Sequence, residues 1–356
     1  MARPEPDSLL LSAFDFLVGG TPLGAEDAAH VDTVEVDHEA GLPGMFAVRL
    51  VGTDDLGSEL PWVDDARFAV GAPAELKLGY QGDLATVIVG EITGLEPEFR
   101  LDRPPSLTVR GFDRLHRLQR GRRTRTFLQQ KDSDVASQIA NDAGLTPQVE
   151  DSEVTHDYLL QANQTDLDFL RQRALRINYE IAVDDRTLLF RPVKNAEGAS
   201  ATLTLGAELA EFLPRLSALG QTGEVEVKGW SVKDKEAIVG RAQSGDEGST
   251  MEGQETGPAQ ADAAFGAATR SLSVWPSLVQ AEADQQAKAV FNERALRFVT
   301  GEGACGGRTD VKVGAVIQIA SVGTRFSGPY YVTAVSHRYT AAGGYDTRFT
   351  VRRNAS

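Results

Sequence analysis

Over the first hundred residues, hydrophobic positions alternate with polar ones in short runs. Val34 and Val36 stand against Thr33, Glu35 and Asp37, the period-two pattern of a half-buried strand. Comparable runs cover 10–18, 45–51, 74–80, 86–95 and 106–112, separated by Gly, Pro and Asp clusters such as Gly19-Gly20-Thr21-Pro22. Short strands at this density predict a barrel or sandwich. The period then changes. Ser133 reads as the N-cap of a helix over 134–143, with Val135, Ile139 and Ala143 on one face and Gly144 as the stop. Thr165 with Asp168 three residues on resembles a capping box, opening a helix whose Leu167, Leu170, Ala174 and Ile177 form one stripe. Residues 179–183 and 187–191 read as a hairpin about Asp184-Asp185. From 200 to 353 the pattern is β again, with strands at 315–320, 330–339 and 347–352. A Gly/Ser/Gln-rich stretch at 244–258 reads as a mobile loop, and an Ala/Glu/Gln-rich run at 278–299 as a long helix.

The fold class that follows is mainly β with an α+β insert: two similar β-barrel domains at 1–123 and 194–356, flanking a small α+β domain at 124–193. The likeness of the outer two rests on a repeat. Val70-Gly71-Ala72 opens one strand and Val313-Gly314-Ala315 another. The run Val87 to Thr93 then matches Tyr330 to Ser336 in hydrophobic pattern, and Leu107-Thr108-Val109-Arg110 matches Phe349-Thr350-Val351-Arg352. Two like domains per chain have a physical use. A trimer would present six near-equivalent surfaces, so a three-fold object could mate with a six-fold ring.

Charge sharpens this picture without adding chemistry. The net charge of −15 falls entirely within residues 1–99, and the rest of the chain is neutral. Nine arginines follow between 100 and 125. They read as a basic edge pairing with the acidic domain rather than a nucleic-acid site, because an acidic chain repels phosphate at long range. With one cysteine, Cys305, there is neither an internal disulfide nor a thiol metal cluster. No signal peptide opens the chain and no apolar run approaches a membrane span, which places folding in a bacterial cytoplasm, without direct membrane insertion. No nucleophile or phosphate-cradling motif occurs. His30, Asp32, Glu35, Asp37 and His38 offer ligand types, but a strand splits them between two faces, so no metal site is expected. Glu91, Glu96 and Glu98 read as strand-end glutamates rather than a hydrolytic pair, and His337 as a packed histidine. The expectation is no catalytic, cofactor-binding or metal residue, and no cofactor.

Several blocks carry a family resemblance. Val109-Arg110-Gly111-Phe112-Asp113-Arg114-Leu115, Arg122 to Phe127, Ser133-Asp134-Val135-Ala136 and Ala143-Gly144-Leu145 stand in order. Gln161 to Leu170 with Tyr179-Glu180 follow, then Phe326 to Thr333, His337-Arg338-Tyr339, Gly343-Gly344-Tyr345 and Phe349. Together they resemble the late control D proteins of phage tails and the hub part of VgrG proteins. The resemblance implies a non-enzymatic baseplate hub of a contractile injection system, a homotrimer whose tube-like barrels form a pseudo-six-fold ring. The ring would sit between an inner tube protein and a trimeric spike, beside other baseplate components, with cargo or DNA passing through. VgrG proteins continue into an oligosaccharide-binding-like barrel and a needle, whereas this sequence stops at Ser356, so the expectation is either a spike or tip on a separate chain or a sequence that is the hub half alone. A tail-associated cell-wall-degrading enzyme on the same scaffold is the alternative.

Overall fold

The computed structural model describes residues 11–53, 62–231, 234–273 and 279–356. The first segment forms β1 (Ser12–Val18), β2 (Thr21–Pro22), α1 (Ala25–Ala29), β3 (Val31–Glu39), β4 (Met45–Val51), β5 (Pro73–Tyr80), β6 (Asp83–Glu98) and β7 (Ser106–Asp113). The middle holds β8 (Arg123–Lys131), α2 (Asp132–Asp142), β9 (Thr146–Val149), β10 (Thr155–Gln164), α3 (Asp166–Arg176), β11 (Tyr179–Asp184) and β12 (Thr187–Pro192). The last comprises β13 (Ala201–Thr204), β14 (Leu209–Leu216), β15 (Glu224–Ser231), β16 (Glu236–Gln243), α4 (Gly257–Phe265), β17 (Thr269–Ser273), α5 (Gln280–Ala295), β18 (Val299–Gly306), β19 (Val316–Ala320), β20 (Gly328–Thr340) and β21 (Gly344–Arg353). The protein is mainly β and its ladders are mostly antiparallel.

Two helix ends differ from expectation. α2 begins before Ser133, because the Lys131 backbone N–H donates to the Asp134 carboxylate at 3.0 Å and closes the first turn there. The Ser133 hydroxyl instead accepts from the backbone N–H of Ser152. α5 stops at Ala295, since Val299 enters the β18 ladder opposite Leu216 and Arg353. The expected starts of the first strand at 10 and of this helix at 278 lie outside the described residues. By contrast, Thr165 caps α3 as expected, accepting from the Asp168 N–H at 3.0 Å.

Thirteen strands share one sheet, in the order β14-β18-β21-β20-β3-β4-β7-β6-β5-β1-β2, with β13 and β19 branching from β20. In a flat sheet β3 and β1 would stand about 24 Å apart, five strand spacings. Yet Val34 and Val36 of β3 share one core with Phe16 of β1, Phe46, Leu76, Ile92 and Val109. The sheet therefore curls round that core. A second core gathers Leu203, Leu209, Val299, Ile319, Tyr330, Val332, Phe349 and Val351 from the later strands. The two β-units are thus joined edge to edge through β3 and β20, while the α+β segment has a core of its own built on Val135, Ile139, Leu167, Leu170, Ile181 and Phe190.

Hydrogen bonds establish the repeat strand by strand. Ala72 N–H donates to Ala69 O and Ala315 N–H to Lys312 O, closing two turns whose third residues, Gly71 and Gly314, have φ of +89° and +80°. Both are type II turns, which need that conformation. Gly71 N–H then donates to Ile92 O, and Gly314 N–H to Val332 O. A bulge at Thr93 breaks the β6–β7 register, and one at Thr333 breaks β20–β21. The hydroxyls of these threonines donate to Arg110 O and Thr350 O respectively. On the far side, bulges at Asp32 in β3 and Ala210 in β14 also correspond. Ile92 thus corresponds to Val332 and Gly111 to Val351. This corrects the pattern match, which had set Val89 against Val332 and Val109 against Val351.

The second unit differs where the first has a short β3–β4 turn. Between β14 and β18 the chain makes a three-stranded sheet, β16-β15-β17, with α5 packed on it. Val225, Val227, Ile238, Ala283, Ala287 and Phe291 form its core. The helix expected in this region therefore belongs to an insertion and covers its own sheet. Residues 244–256 are irregular but anchored: Met251 is buried and Gly248 N–H donates to Asn292 Oδ1 at 2.9 Å. Pro258 lies inside α4 rather than in the loop.

Candidate functional site

The surface that can do work here is the seam where β3 meets β20, with the α+β segment braced across it. The alternation of β3 sends Val34 and Val36 inward and Glu35, Asp37 and Glu39 outward. Ala334 to Thr340 of β20 pair antiparallel with Thr33 to Glu39. On the outer face, Arg338 Nε lies 3.2 Å from the Glu35 carboxylate. On the inner face, the Tyr339 ring sits 4.9 Å from Phe14, so a side chain of the second unit packs on the core of the first.

Two histidines lie in the seam. His337 is buried, its Nδ1 2.8 Å from the Tyr345 hydroxyl, and burial pushes its pKa down to about 3. His38 shares a hydrogen bond of 3.0 Å with Val87 O, and burial lowers it as well. Both are therefore neutral near pH 7. Beside them Asp113 accepts from the N–H groups of Gly44 (2.7 Å) and Leu115 (2.9 Å), while burial raises its carboxyl to about 7. These groups line a cavity of about 430 Å³, together with Glu180, Arg191 and Lys312.

The α+β segment is pinned on three sides. Arg114, almost wholly buried, pairs with Asp185 of this segment and with Glu91 of the first unit. Glu180 accepts from Arg191 at 2.8 Å and from the Tyr331 hydroxyl of the second unit. Towards the insertion, His156 lies between Asp132 and Glu282, and Arg173 Nη2 donates to Asp132 at 2.9 Å. Burial alone would depress His156, but its bonds to Asp132 and Glu282 carry it above the ordinary histidine range.

The arginines between 100 and 125 are largely spent on such pairing. Arg110 pairs with Glu96, Arg100 and Arg103 with Glu98, Arg117 with Glu91, and Arg123 and Arg125 with Asp142 and Asp166. The basic edge thus pairs with Glu91, Glu96 and Glu98 of the acidic domain and with Asp142 and Asp166 of the α+β segment. The three glutamates considered as hydrolytic candidates are these same ion-pair partners. His30 turns away from His38, its ring 5.0 Å from Trp62 and its Nδ1 2.9 Å from Val51 O. Among the described residues, no group of three or more His, Cys, Asp or Glu side chains could hold a metal ion. No helix among them is long and apolar enough to cross a membrane. Sequence reasoning missed Asp113, Arg114, His156 and Glu180, because each acts through a partner far away in the chain. The Asp-Arg run after β7 and the buried parity of His156 on β10 were the signals present.

Solved structures with this architecture come from phage tails and a secretion machine. The 43 kDa tail protein of prophage MuSo2 from Shewanella oneidensis aligns over 96% of this chain and 98% of its own, with 12% identity and a TM-score of 0.70. A tail protein from Neisseria meningitidis aligns over 96% of each chain, with 13% identity and a TM-score of 0.69. An E. coli component of the type VI secretion system, described as structurally similar to T4 bacteriophage tail proteins, covers 92% of this chain and 74% of its own at 13% identity, with a TM-score of 0.57. The chain shares its fold with these tail proteins. No curated protein sequence matches the chain. One family model does, the Alg8 N-terminal domain, over residues 10–341, most of the chain's length. The chain belongs to the Alg8 N-terminal domain family.

Proposed function

We propose that this protein is the structural hub of a phage-tail-like contractile injection system, a homotrimer that adapts a six-fold inner tube to a three-fold spike. The observation that carries the reading is the repeat: two β-units of matching hydrogen-bond pattern sit side by side in one sheet. Three such chains offer six near-equivalent units, and cyclic closure is the ordinary way head-to-tail contacts terminate. The tail proteins of similar fold support it. Its organisation is a first β-unit to about 123, a bracing α+β unit to 193 and a second β-unit beyond, with tube, spike and other baseplate proteins as partners. Assembly takes place in the bacterial cytoplasm, before the particle is deployed. The work is mechanical and electrostatic, with no bond made or broken.

The test is to tag the chain and locate it by electron microscopy in particles isolated from producing cells. Three copies between tube and spike are expected. Complete particles from cells lacking the gene would overturn the reading.

A further inference from the structure

The repeat leaves two strand edges open, and each is the counterpart of an edge that is filled within the chain. β3 has β4 on one side and β20 on the other; among the described residues β14, its counterpart, pairs with β18 as its one neighbouring strand, apart from a single bridge from Leu209 to Leu205. β20 takes β19 along its first residues and β3 along Ala334 to Thr340. Its counterpart β6 takes β5 as far as Glu91, and among the described residues no strand pairs with Gly94 to Glu98 on that side. We infer that these two edges meet between neighbouring copies: β14 of one protomer lies against the end of β6 of the next, in the register of the internal seam. This rests on the trimeric reading above and specifies its contact.

The register follows from residues already matched. Val36 and Pro214 correspond, since they oppose Phe46 and Gly301, which in turn oppose the matched pair Gly111 and Val351. Carrying the β3–β20 pairing across sets Leu95 opposite Leu216, Glu96 opposite Arg215, Phe99 opposite Phe212 and Arg100 opposite Glu211. In these four pairs apolar meets apolar and charge meets its opposite, although nothing in the transfer imposes that result; Glu98, which falls opposite Leu213, keeps its ion pairs with Arg49, Arg100 and Arg103 of its own chain. Cross-strand pairs of this kind stabilise ladders. Arg215 is exposed and enters no ion pair among the described residues, while Glu96 is held ready by Arg110 at 2.9 Å.

A separate observation points the same way. Tyr339 crosses the internal seam to pack on the core of the neighbouring unit. Its counterpart is Phe99, which is 66% exposed. A large aromatic side chain left in water at the position where its twin is packed is what a missing neighbour produces. One feature distinguishes the two seams. Ala40 N–H donates to Thr333 O and Ala341 N–H to Asp32 O, so His337 and Val36 occupy a hydrogen-bonding rung. Their counterparts are Pro97 and Pro214, neither with an N–H to give. The contact between copies therefore lacks its central rung, and until assembly each open edge resists stray strands at that point.

Sedimentation velocity on the full chain tests the contact. Wild type is expected as a trimer, with Glu96→Arg, Arg215→Glu and Phe99→Ser each weakening association at least tenfold. All three side chains are exposed or partly so, and an unchanged circular dichroism spectrum verifies the fold. Combining Glu96→Arg with Arg215→Glu in one chain should restore the trimer. Oxidising a Glu96→Cys/Arg215→Cys chain should link three copies covalently. A trimeric wild type indifferent to all three substitutions, or a double variant that fails to recover or cross-link, overturns this contact and leaves the trimer standing. A wild type that stays a single chain at every concentration overturns the trimeric reading itself.

Discussion

The Tyr339 ring lies 4.9 Å from the Phe14 ring, so the last stretch of β20, like Tyr345 of β21, contributes to a core built mainly by the first β-unit. Because one sheet and the aromatic contacts Phe14–Tyr339 and Tyr80–Tyr345 join the units, they should unfold together. Tyr339→Ala is expected to cost about 2 kcal/mol, less than the roughly 3–5 kcal/mol of a fully buried aromatic because Tyr339 is only partly buried. Urea denaturation followed by tryptophan fluorescence and by far-ultraviolet circular dichroism should still give coincident transitions. Two separated transitions would mean that the seam does not couple the units.

The matched type II turns predict a matched backbone cost. Gly71→Ala leaves its new methyl in open space, so the penalty is that of a left-handed residue, about 1–2 kcal/mol. Gly314→Ala pays the same and in addition brings its Cβ to 3.3 Å from Glu180, disturbing the Glu180–Arg191 pair. Thermal melts should therefore rank Gly314→Ala below Gly71→Ala, and both below wild type.

The network at His156 ties the α+β segment to the insertion, and breaking it should be expensive. Asp132→Ala removes the carboxylate that compensates Arg173 and His156, with an expected loss of about 3–5 kcal/mol. Its pH dependence has two limbs. Asp132 and Glu282 are held below their ordinary range, so their contribution is present at neutral pH and lost as acid protonates them. His156 is raised, so its contribution is lost as pH rises through its folded value. Melting temperature against pH should show both limbs in wild type and both reduced in Asp132→Ala, where the His156–Glu282 bond and His337 still contribute.

His337 works in the opposite sense. Its folded pKa of about 3 lies below the ordinary 6.5, so the fold binds fewer protons than the unfolded chain between those values. Stability should fall as pH drops below about 6.5. His337→Gln should flatten that acid limb relative to wild type, and an unchanged difference between the two across pH 3–7 would refute it.

The arginines at 100–125 predict a negative result with a measurable form. Since most are paired with carboxylates, binding to a fluorescent DNA duplex should be weak at about 50 mM salt and vanish by about 200 mM. Retained affinity at the higher salt would restore a nucleic-acid role.

How much was legible in the sequence varied with distance along the chain. Local physics was readable: the alternation of β3, the Thr165 cap of α3, the β11–β12 hairpin and the likeness of the two Val-Gly-Ala segments, read as strand openings, were all visible as residue patterns. The insertion was not, because β15, β16 and β17 alternate like any other strands and do not show which sheet they join, and their core is completed by small alanines of α5 that look the same on any helix. The strand match was found but slipped, since a run as uniformly apolar as Val87 to Val89 does not mark its own phase and a bulge at Thr93 leaves no signature. The sequence alone determined the fold class, the repetition of a β-unit and the placement of charge, because these depend on period and composition. Only the tertiary structure decided that β3 joins β20, that Tyr339 and Phe99 are twins in unlike surroundings, and which edges stay open. Those relations connect residues hundreds of positions apart, where pairing is set by packing and hydrogen-bond register rather than by any neighbour in the chain.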